Sequence, residues 1–549
     1  MTAPLEPTLE VGVGPRAHRP PDLSVPLVDY TIGQLLALRA TDHPDREALV
    51  GVRHGSSGEH VRLTYAGLFD EAARVAERLS ALVDRGELVA LWAPNVVEWT
   101  VIQYGAALAG VVLVALNPVL RADELDYALR HSRARVLLHA DVSRDYQMAE
   151  VAERVCAEIP GVRRISLSQQ NEWKAEAGPA KSGWSGHPSD PDTPVMLQYT
   201  SGTTGRPKGV LLTHRALVNV AKLTMETTGV ADRAVCFNPL PLFHTAGCVI
   251  ATLGPLWRAG TAILCERFAP DTALESLGRE QVSVFFYVPA VLQALLQHQR
   301  VSDLPAPRLQ IIMGGASNVS GELIDGAATV FGAAVYNLYG QTELAPVISL
   351  TRPGDSRHDQ LHTEGRPLSQ LECKIIDPVS GATVGVGEKG EICARGYQQF
   401  VEYLHDPDAT ARALDGEGYV RTGDLGTMDS RGYLTVTGRL KELIIRGGEN
   451  IAPAEVERVI AQHDGVVDVI ALGMPDERLG EIVAVACRVT DGGRIGLRDS
   501  LIEHAVRELP AYKVPARWFL VDDFPITPTG KVQRFALRDA ALAEELPEL

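Results

Sequence analysis

Apolar and polar positions alternate along the chain in two patterns, one with helical spacing and one of short apolar runs. Apolar residues three and four apart favour amphipathic helices, and short apolar runs between turn residues favour buried strands. On this basis the first part of the chain is predicted to contain helices over 32–39, 65–83, 96–108 and 122–130, separated by strands over 48–50, 88–91, 111–115 and 135–139. Strands that alternate with helices indicate a mostly parallel sheet covered on both faces.

The same alternation continues in the middle of the chain, where it predicts strands over 194–198, 282–288, 310–313 and 334–339. Three of these strands run into segments of glycine, hydroxyl and acidic residues, at 200–209, 314–316 and 340–343. Ligands of open α/β sheets bind at the carboxyl ends of the strands. We therefore expect these three loops to face one pocket.

After Leu371 the pattern changes to short strands with frequent glycine turns, which indicates a β-rich subdomain. Beyond Glu442 a new set of elements begins. It is predicted to hold strands over 443–446, 467–472, 482–489 and 517–521 and helices over 454–462 and 497–509. About a hundred residues of this kind suffice for a small separate α+β domain. The first 25 residues are rich in proline and lack periodicity, so we expect a disordered or draped arm.

Composition narrows the class of protein. The length of 549 residues predicts two or more domains. A net charge of −17 argues against a nucleic-acid binder and means that a bound polyanion needs local donors. Seven scattered cysteines without a C-x-x-C pair indicate reduced thiols in a cytoplasmic protein. The N-terminus lacks a signal-peptide pattern, and the longest apolar run (105–116) is shorter than a membrane span, which needs about 20 residues.

The segment from Tyr199 to Gly209 reads YTSGTTGRPKG and carries the strongest chemical signal. It follows an apolar strand and precedes a predicted helix with Thr213 as a plausible N-cap. Glycines let backbone N–H groups converge on an anion, hydroxyls add donors and a lysine adds charge, so this layout is suited to phosphate. It is not a Walker A motif, because Lys208 lies between Pro207 and Gly209. The alternative is a polar turn without function.

Five further motifs follow in order along the chain. They are PLFH at 241–244, YGQTE at 339–343, RTGD at 421–424, GRLKE at 438–442 and PTGK at 528–531, which lies close to the C-terminus and contains Thr529 and Lys531. Together the six resemble the acyl-adenylate-forming enzymes, which include acyl-CoA synthetases, 4-coumarate-CoA ligases, firefly luciferase and peptide-synthetase adenylation domains. The resemblance covers the chain from about Tyr30 to Asp539. The stretch 438–450 looks most like medium-chain and related fatty acyl-CoA synthetases.

The resemblance implies an α/β fold with a large N-terminal domain of stacked αβ subdomains plus a β-rich subdomain, and a small mobile α+β C-terminal domain. We place the arm at 1–25, the N-terminal domain at 26–438 (β-rich at about 370–438), the hinge at 439–443 and the C-terminal domain at 444–549. The resemblance also implies ATP, Mg²⁺ and coenzyme A as cofactors. A carboxylate would attack the α-phosphate of ATP, and a thiol would then attack the acyl-adenylate.

Roles for individual residues follow from the same resemblance. The catalytic set would be Lys531, Thr342, Glu343 and His244, with Glu343 also holding Mg²⁺, Lys441 as the hinge, and Gly447, Gly448 and Glu449 on the coenzyme A side. ATP and AMP would be bound by Thr200, Ser201, Gly202, Thr203, Thr204, Lys208, Gly315, Ala316, Asn337, Tyr339, Gly340, Asp424 and Arg439. The acyl pocket would be formed by Phe237, His244, Tyr287, Gly314 and Gly315. Alternatives stay open for five of them. Tyr339 could be a core aromatic, His244 a core histidine and Asp424 a turn aspartate. Glu343 and Lys531 could be solvated surface residues.

No aspartate follows His244 where peptide-synthetase domains bind an amino group, so we expect a hydrophobic carboxylic acid as substrate. Three readings of the activity stay open. The first is an AMP-forming acyl-CoA ligase. The second is an adenylating enzyme of a specialised-metabolite pathway that passes its acyl group to a carrier protein or separate partner. The third is a nucleotide-binding protein or sensor without catalysis. A homodimer is also left open, and neither nucleic acid nor an integral membrane span is expected.

Overall fold

The computed structural model describes residues 14–56, 58, 60–169, 190–200, 207–302, 304–315, 319–447, 449–489, 496–526 and 532–549. Within these residues the strands are β1 His18–Arg19, β2 Glu47–Val52, β3 His60–Thr64, β4 Leu88–Trp92, β5 Val112–Leu116, β6 Val136–His139, β7 Val142–Ser143, β8 Tyr146–Gln147, β9 Arg163–Ser166, β10 Pro194–Thr200, β11 Lys208–Thr213, β12 Val235–Asn238, β13 Thr261–Leu264, β14 Val284–Tyr287, β15 Ile311–Gly315, β16 Ala334–Tyr339, β17 Ser349–Leu350, β18 Arg366–Pro367, β19 Leu371–Ile376, β20 Gly390–Gly396, β21 Val420–Met428, β22 Leu434–Arg439, β23 Ile444–Arg446, β24 Glu449–Ile451, β25 Val466–Asp476, β26 Gly480–Val489 and β27 Arg517–Leu520.

The α-helices in the same residues are α1 Ile32–Asp42, α2 Tyr65–Ser80, α3 Val97–Ala109, α4 Ala122–Ser132, α5 Met148–Ala157, α6 His214–Thr227, α7 Ala251–Trp257, α8 Pro270–Arg279, α9 Pro289–Val301, α10 Gly321–Phe331, α11 Arg357–His362, α12 Pro407–Ala413, α13 Pro453–Ile460, α14 Leu497–Glu508 and α15 Arg534–Leu542. A π-helix, Ala246–Ile250, leads into α7, and 3₁₀ turns cover Thr342–Leu344 and Leu440–Glu442. None of the helices in the described part of the chain combines the length and apolar character that a bilayer crossing requires.

Two mostly parallel sheets form the bulk of the N-terminal domain. One has six strands in the order β11-β10-β5-β4-β6-β9, and the other has nine in the order β18-β17-β16-β15-β14-β12-β13-β2-β3. Helix α3 contacts β5 of the first sheet and β2 of the second, and every one of its residues is buried. Because protein surrounds this helix on every side, its last turns can be apolar all round, and they begin the apolar run 105–116.

A third sheet is antiparallel, with the order β1-β19-β20-β21-β22, and it corresponds to the β-rich subdomain expected after Leu371. Its edge strand β1 lies within residues 1–25, for which the sequence predicts a disordered or draped arm. There His18 pairs with Lys374, and Ala17 is fully buried. Residues 16–19 are thus part of this sheet.

The C-terminal part has its own five-stranded sheet, ordered β24-β23-β26-β25 with β27 beside β26, packed against α13, α14 and α15. With two mostly parallel sheets, a β-rich sheet and this separate C-terminal sheet, the predicted fold class is confirmed.

One local prediction is wrong. The phosphate loop was expected between a strand and a helix, but β11 intervenes and pairs antiparallel with β10, with Thr200 opposite Lys208. β10 and β11 are thus antiparallel neighbours, and Val210 and Leu212 of β11 are fully buried against the core. The helix begins only at His214, where the Thr213 hydroxyl accepts a hydrogen bond from the Ala216 N–H, as expected for an N-cap.

Candidate active site

Two glycines end the central strand β15, where the neighbouring strands approach its backbone closely. In the parallel register Gly314 faces Asn337 and Gly315 faces Leu338. A Cβ on Gly314 would lie 1.9 Å from the Tyr287 carbonyl oxygen, and a Cβ on Gly315 would lie 2.1 Å from that of Leu338. Side chains are therefore sterically excluded here. The same added Cβ on Gly315 would lie 3.1 Å from the Asn337 amide oxygen, so this amide borders Gly315.

Tyr339, at the end of β16, joins Asp424 and Arg439 in a hydrogen-bonded cluster. The Tyr339 hydroxyl donates to Oδ2 of Asp424 at 2.8 Å, and Arg439 Nε lies 2.7 Å from Oδ1 of the same carboxylate. Burial, together with the Asp424 charge, raises the pKa of Tyr339 well above its ordinary value, so its hydroxyl stays protonated. The Asp424 charge likewise raises the pKa of Arg439. The structure thus brings three predicted nucleotide-binding residues together.

The β-rich sheet supplies two members of this cluster. Asp424 on β21 lies directly opposite Arg439 on β22. The backbone N–H of Asp424 donates to the Thr422 hydroxyl at 3.0 Å, which fixes the strand where the carboxylate projects. Asp424 is only 3% exposed. An isolated carboxylate in such a position is costly unless it is paired, and the tyrosine and arginine provide that pairing.

Thr342 and Glu343 begin the 3₁₀ turn that follows β16. Thr342 is 7% exposed, and Glu343 is partly exposed. One carboxylate oxygen of Glu343 accepts a hydrogen bond of 2.7 Å from the Tyr403 hydroxyl, and its backbone carbonyl accepts from the Phe400 N–H at 2.9 Å. Among the described residues, no hydrogen bond involves the second carboxylate oxygen. Glu343 therefore has an oriented carboxylate with coordination capacity left.

Lys208 closes the phosphate hairpin and reaches the same tyrosine. Its ammonium lies 4.5 Å from the centre of the Tyr403 ring, within the range of a cation–π contact. Of the loop residues expected to contact phosphate, Thr200 lies at the end of β10, whereas Ser201, Gly202, Thr203 and Thr204 lie outside the described residues. Ala316 also lies outside them. The structure thus brings both Lys208 and Glu343 into contact with Tyr403.

Sequence reasoning missed Tyr403. It lies in a segment between predicted elements, and no motif or periodicity marks it. Its importance comes only from tertiary contacts to two residues that are 195 and 60 positions away, which local patterns do not show.

The predicted acyl-pocket residues fall into two groups. His244 follows β12 in a turn in which its Nδ1 accepts from the Ala246 N–H at 3.2 Å. The next N–H, that of Thr245, donates to the Gln198 side chain on β10 at 3.0 Å, which ties this turn to the strand that leads into the phosphate loop. Phe237 and Tyr287, by contrast, are 2% and 1% exposed and belong to a packed cluster beneath α8–α10. Their place in an acyl pocket stays a prediction.

The predicted hinge and coenzyme A residues lie at the start of the C-terminal part. Lys441 is exposed in the 3₁₀ turn between β22 and β23. Gly447 adopts a left-handed conformation with φ of 60°, and Glu449 pairs with Arg446 in the hairpin that follows. Gly448 and Lys531 lie outside the described residues.

The residues present fit the cofactor expected here. Mg²⁺ prefers oxygen ligands and is commonly held by one or two carboxylates plus substrate phosphates. In the described part of the chain no three histidine, cysteine or acidic side chains form a metal-binding group. Glu343, beside Lys208, offers the single-carboxylate type of site that relies on phosphate for its other ligands.

Comparisons with known proteins give matches over most of the chain. The profile of the AMP-binding enzyme family matches residues 36–404, and that of the AMP-binding enzyme C-terminal domain matches residues 455–531. The putative acyl-CoA synthetase YngI of Bacillus subtilis (strain 168) is 34% identical over 94% of this chain and 98% of its own length. The mitochondrial medium-chain acyl-CoA ligase ACSF2 of Danio rerio is 30% identical, with coverage of 94% and 89%. The solved Mycobacterium tuberculosis fatty acyl CoA synthetase has a TM-score of 0.75, with 30% identity and coverage of 94% and 99%.

Proposed function

This chain belongs to the AMP-binding enzyme family, and we propose that it is an AMP-forming acyl-CoA ligase that acts on a hydrophobic carboxylic acid. The proposal rests on one observation: the ends of β15 and β16 and the start of β11 lie close together. Gly314 and Gly315 lie beside the Tyr339–Asp424 cluster, and the turn that follows Tyr339 brings Glu343 to Tyr403 and Lys208. Such a site has separate places for a nucleoside and for a triphosphate.

The nucleoside would occupy the floor at β15 and β16. Adenine would lie between the Tyr339 ring and Gly315–Ala316, with the Asn337 amide at its exocyclic amine. Asp424 would accept hydrogen bonds from the ribose hydroxyls. Each carboxylate oxygen has two lone-pair sites, so Asp424 can bind ribose while it retains Tyr339 and Arg439.

The first half-reaction brings an anionic carboxylate to the α-phosphorus of a highly charged triphosphate, and pyrophosphate leaves. Its barrier depends on neutralising that charge, since phosphoryl and adenylyl transfers are catalysed mainly by positioning and electrostatics. Lys208 and the loop 200–204 would contact the β- and γ-phosphates, and Thr342 would donate to the α-phosphate. Glu343 would hold Mg²⁺, whose charge would offset that of the phosphates.

The second half-reaction is proposed to need a movement of the C-terminal domain about Lys441. Lys531 would bridge the attacking carboxylate and the phosphate during adenylation and then withdraw. The segment with Gly447, Gly448 and Glu449 would face the thiol of coenzyme A, which attacks the acyl carbonyl as AMP leaves. Rotation at a few exposed positions between domains is a common way to alternate two active-site arrangements.

A medium-chain fatty acid is the substrate class that the relatives favour, since ACSF2 carries the name of a medium-chain acyl-CoA ligase. Both relatives are named as enzymes that form acyl-CoA, which favours free coenzyme A over a carrier protein as the acceptor of the acyl group. We keep a cytoplasmic location as part of the proposal, although ACSF2 is a mitochondrial relative.

The test is a pyrophosphate-release screen over carboxylic acids of graded length, run with and without coenzyme A. Activity on hydrophobic acids that increases with coenzyme A, with acyl-CoA and AMP as products, is expected. Pyrophosphate release that is indifferent to coenzyme A, with acyl-adenylate accumulating, would instead indicate transfer to another acceptor. Absence of pyrophosphate release with every acid would contradict the proposal.

A further inference from the structure

Tyr403 stands between two residues that the proposed reaction needs and contacts each with a different part of its side chain. Its hydroxyl donates to Glu343 at 2.7 Å, and the face of its ring lies 4.5 Å from the Lys208 ammonium. The residue is 9% exposed. One phenol therefore orients both a carboxylate and a cation at the triphosphate end of the site.

The backbone around Tyr403 holds this phenol in place. Leu404 N–H donates to the Gly209 carbonyl at 2.8 Å, and the Leu211 N–H donates to the Glu402 carbonyl at 3.1 Å. The Tyr403 N–H donates to the Thr410 hydroxyl at 2.9 Å. The segment 401–404 thus lies along β11, the strand that begins with Lys208.

The chemistry of the phenol suits an orienting role. Burial, and then the Glu343 charge, raise the pKa of Tyr403, so the hydroxyl remains a donor at neutral pH. A hydrogen bond to one oxygen of a carboxylate fixes its rotamer and leaves the other oxygen for a ligand. The ring face is the negative end of the aromatic quadrupole and attracts an ammonium ion.

We propose that Tyr403 is a positioning residue that presents Glu343 to magnesium and Lys208 to the triphosphate. The inference rests on the proposed function, because it gives Tyr403 a role only if these two residues bind Mg·ATP. Partners that orient a metal ligand typically change metal affinity by about 10- to 100-fold when they are removed.

The experiment measures binding without turnover, using the ATP analogue with a methylene bridge between the α- and β-phosphates. Tyr403→Phe keeps the ring and removes the hydroxyl. We expect it to increase the Mg²⁺ concentration for half-maximal analogue binding by about 10-fold or more, with the Kd for AMP unchanged. Tyr403→Leu also removes the ring, so it should weaken analogue binding even at saturating Mg²⁺.

A matched control exists elsewhere in the β-rich subdomain. The Tyr433 hydroxyl donates to Asp355 at 2.6 Å, and the Arg431 guanidinium lies 4.5 Å from its ring. Tyr433→Phe therefore removes a tyrosine–carboxylate hydrogen bond outside the proposed site. Its affinities for AMP and for the Mg²⁺-bound ATP analogue should stay at the wild-type values.

An unchanged Mg²⁺ titration in Tyr403→Phe would overturn the inference, as would equal weakening of AMP and analogue binding. Because the phenylalanine variant retains the packed ring, it decides the question even if the leucine variant fails to fold. Wild-type protein that binds neither AMP nor the analogue would overturn the proposed function itself.

Discussion

The Tyr339 hydroxyl donates a 2.8 Å hydrogen bond to Oδ2 of Asp424, so the end of a parallel strand orients a carboxylate from a different sheet. This contact couples the β-rich subdomain to the floor of the candidate nucleotide site. Asp424 is in turn held by Arg439. The orientation of the carboxylate therefore depends on groups from both sheets.

Asp424→Asn should weaken nucleotide binding. The amide retains the shape of the side chain but loses the charge and one acceptor oxygen, and hydrogen bonds to charged groups contribute about 1.5–3 kcal/mol. We expect the Kd for AMP to rise by about 10- to 100-fold, measured by isothermal titration calorimetry. Tyr339→Phe, which retains the carboxylate and the ring, should show a smaller effect. An Asp424→Asn protein with wild-type AMP affinity would exclude the ribose-binding role.

Lys531→Ala should suppress acyl-adenylate formation and spare the second half-reaction. Removing one group that stabilises transition-state charge costs roughly 2.7–4 kcal/mol, or about 10²–10³ in rate. Adenylation is measured by carboxylate-dependent pyrophosphate exchange, and thioester formation by conversion of supplied acyl-adenylate. Equal losses in both assays would refute the assigned role.

Lys441→Pro should give the opposite pattern. Proline fixes φ near −65° and removes the N–H, so it restricts rotation at the exposed turn Leu440–Glu442 between the domains. Adenylation is expected to continue while thioester formation from acyl-adenylate decreases. Normal coenzyme A-dependent turnover would show that this position is not the hinge.

Glu364→Gln should change how stability depends on pH. Poor solvation of the carboxyl raises the pKa of Glu364 to about 7, although its side chain accepts a 2.7 Å bond from the Val436 N–H. Between about pH 4.5 and 7 the folded protein retains a proton that the unfolded chain has released, so the free energy of unfolding falls as pH rises. Over this pH range, the Glu364 titration lowers the free energy of unfolding by about 3 kcal/mol.

In the Glu364→Gln variant, the free energy of unfolding should lack this decrease with rising pH. The variant should therefore be more stable than the wild type at pH 8. Urea unfolding at pH 5, 6, 7 and 8 measures the difference between the two proteins, which removes contributions from other groups. A constant difference over this range would argue against a titrating Glu364.

Gly314→Ala should destabilise the fold and impair the site. The added Cβ would lie 1.9 Å from the Tyr287 carbonyl, a backbone atom of the neighbouring strand, so β14 and β15 would have to separate. Overpacking of this kind costs about 1–3 kcal/mol. The control is Gly278→Ala in α8, where a Cβ meets nothing within 4 Å and helix propensity favours alanine by about 1 kcal/mol. Urea denaturation compares the two, and equal stabilities would contradict the steric argument.

Much of the fold was predictable because local patterns determine it. The predicted helix over 122–130 and strand over 334–339 appear at 122–132 and 334–339, since apolar spacing directly reflects which face is buried. The hairpin at the phosphate loop was not predicted. The short apolar run 209–212 is compatible with either a strand or the start of a helix, and pairing with β10 decides between them.

The candidate site was predictable only in part, for a related reason. Motifs identify Asp424 and Glu343 because their residue types and neighbours are distinctive. Tyr403 gains its role from contacts that bring Lys208 and Glu343 to one ring, and Glu364 gains its unusual acidity from its surroundings. Neither property is visible before the chain is folded.

The way segment 401–404 lies along β11 has a further consequence for folding. An uncovered edge strand can pair with other chains and aggregate, whereas here the outer side of β11 is bonded to segment 401–404, which lies in the connection between β20 and β21. Loss of the β-rich subdomain would expose this edge and release Lys208 from Tyr403.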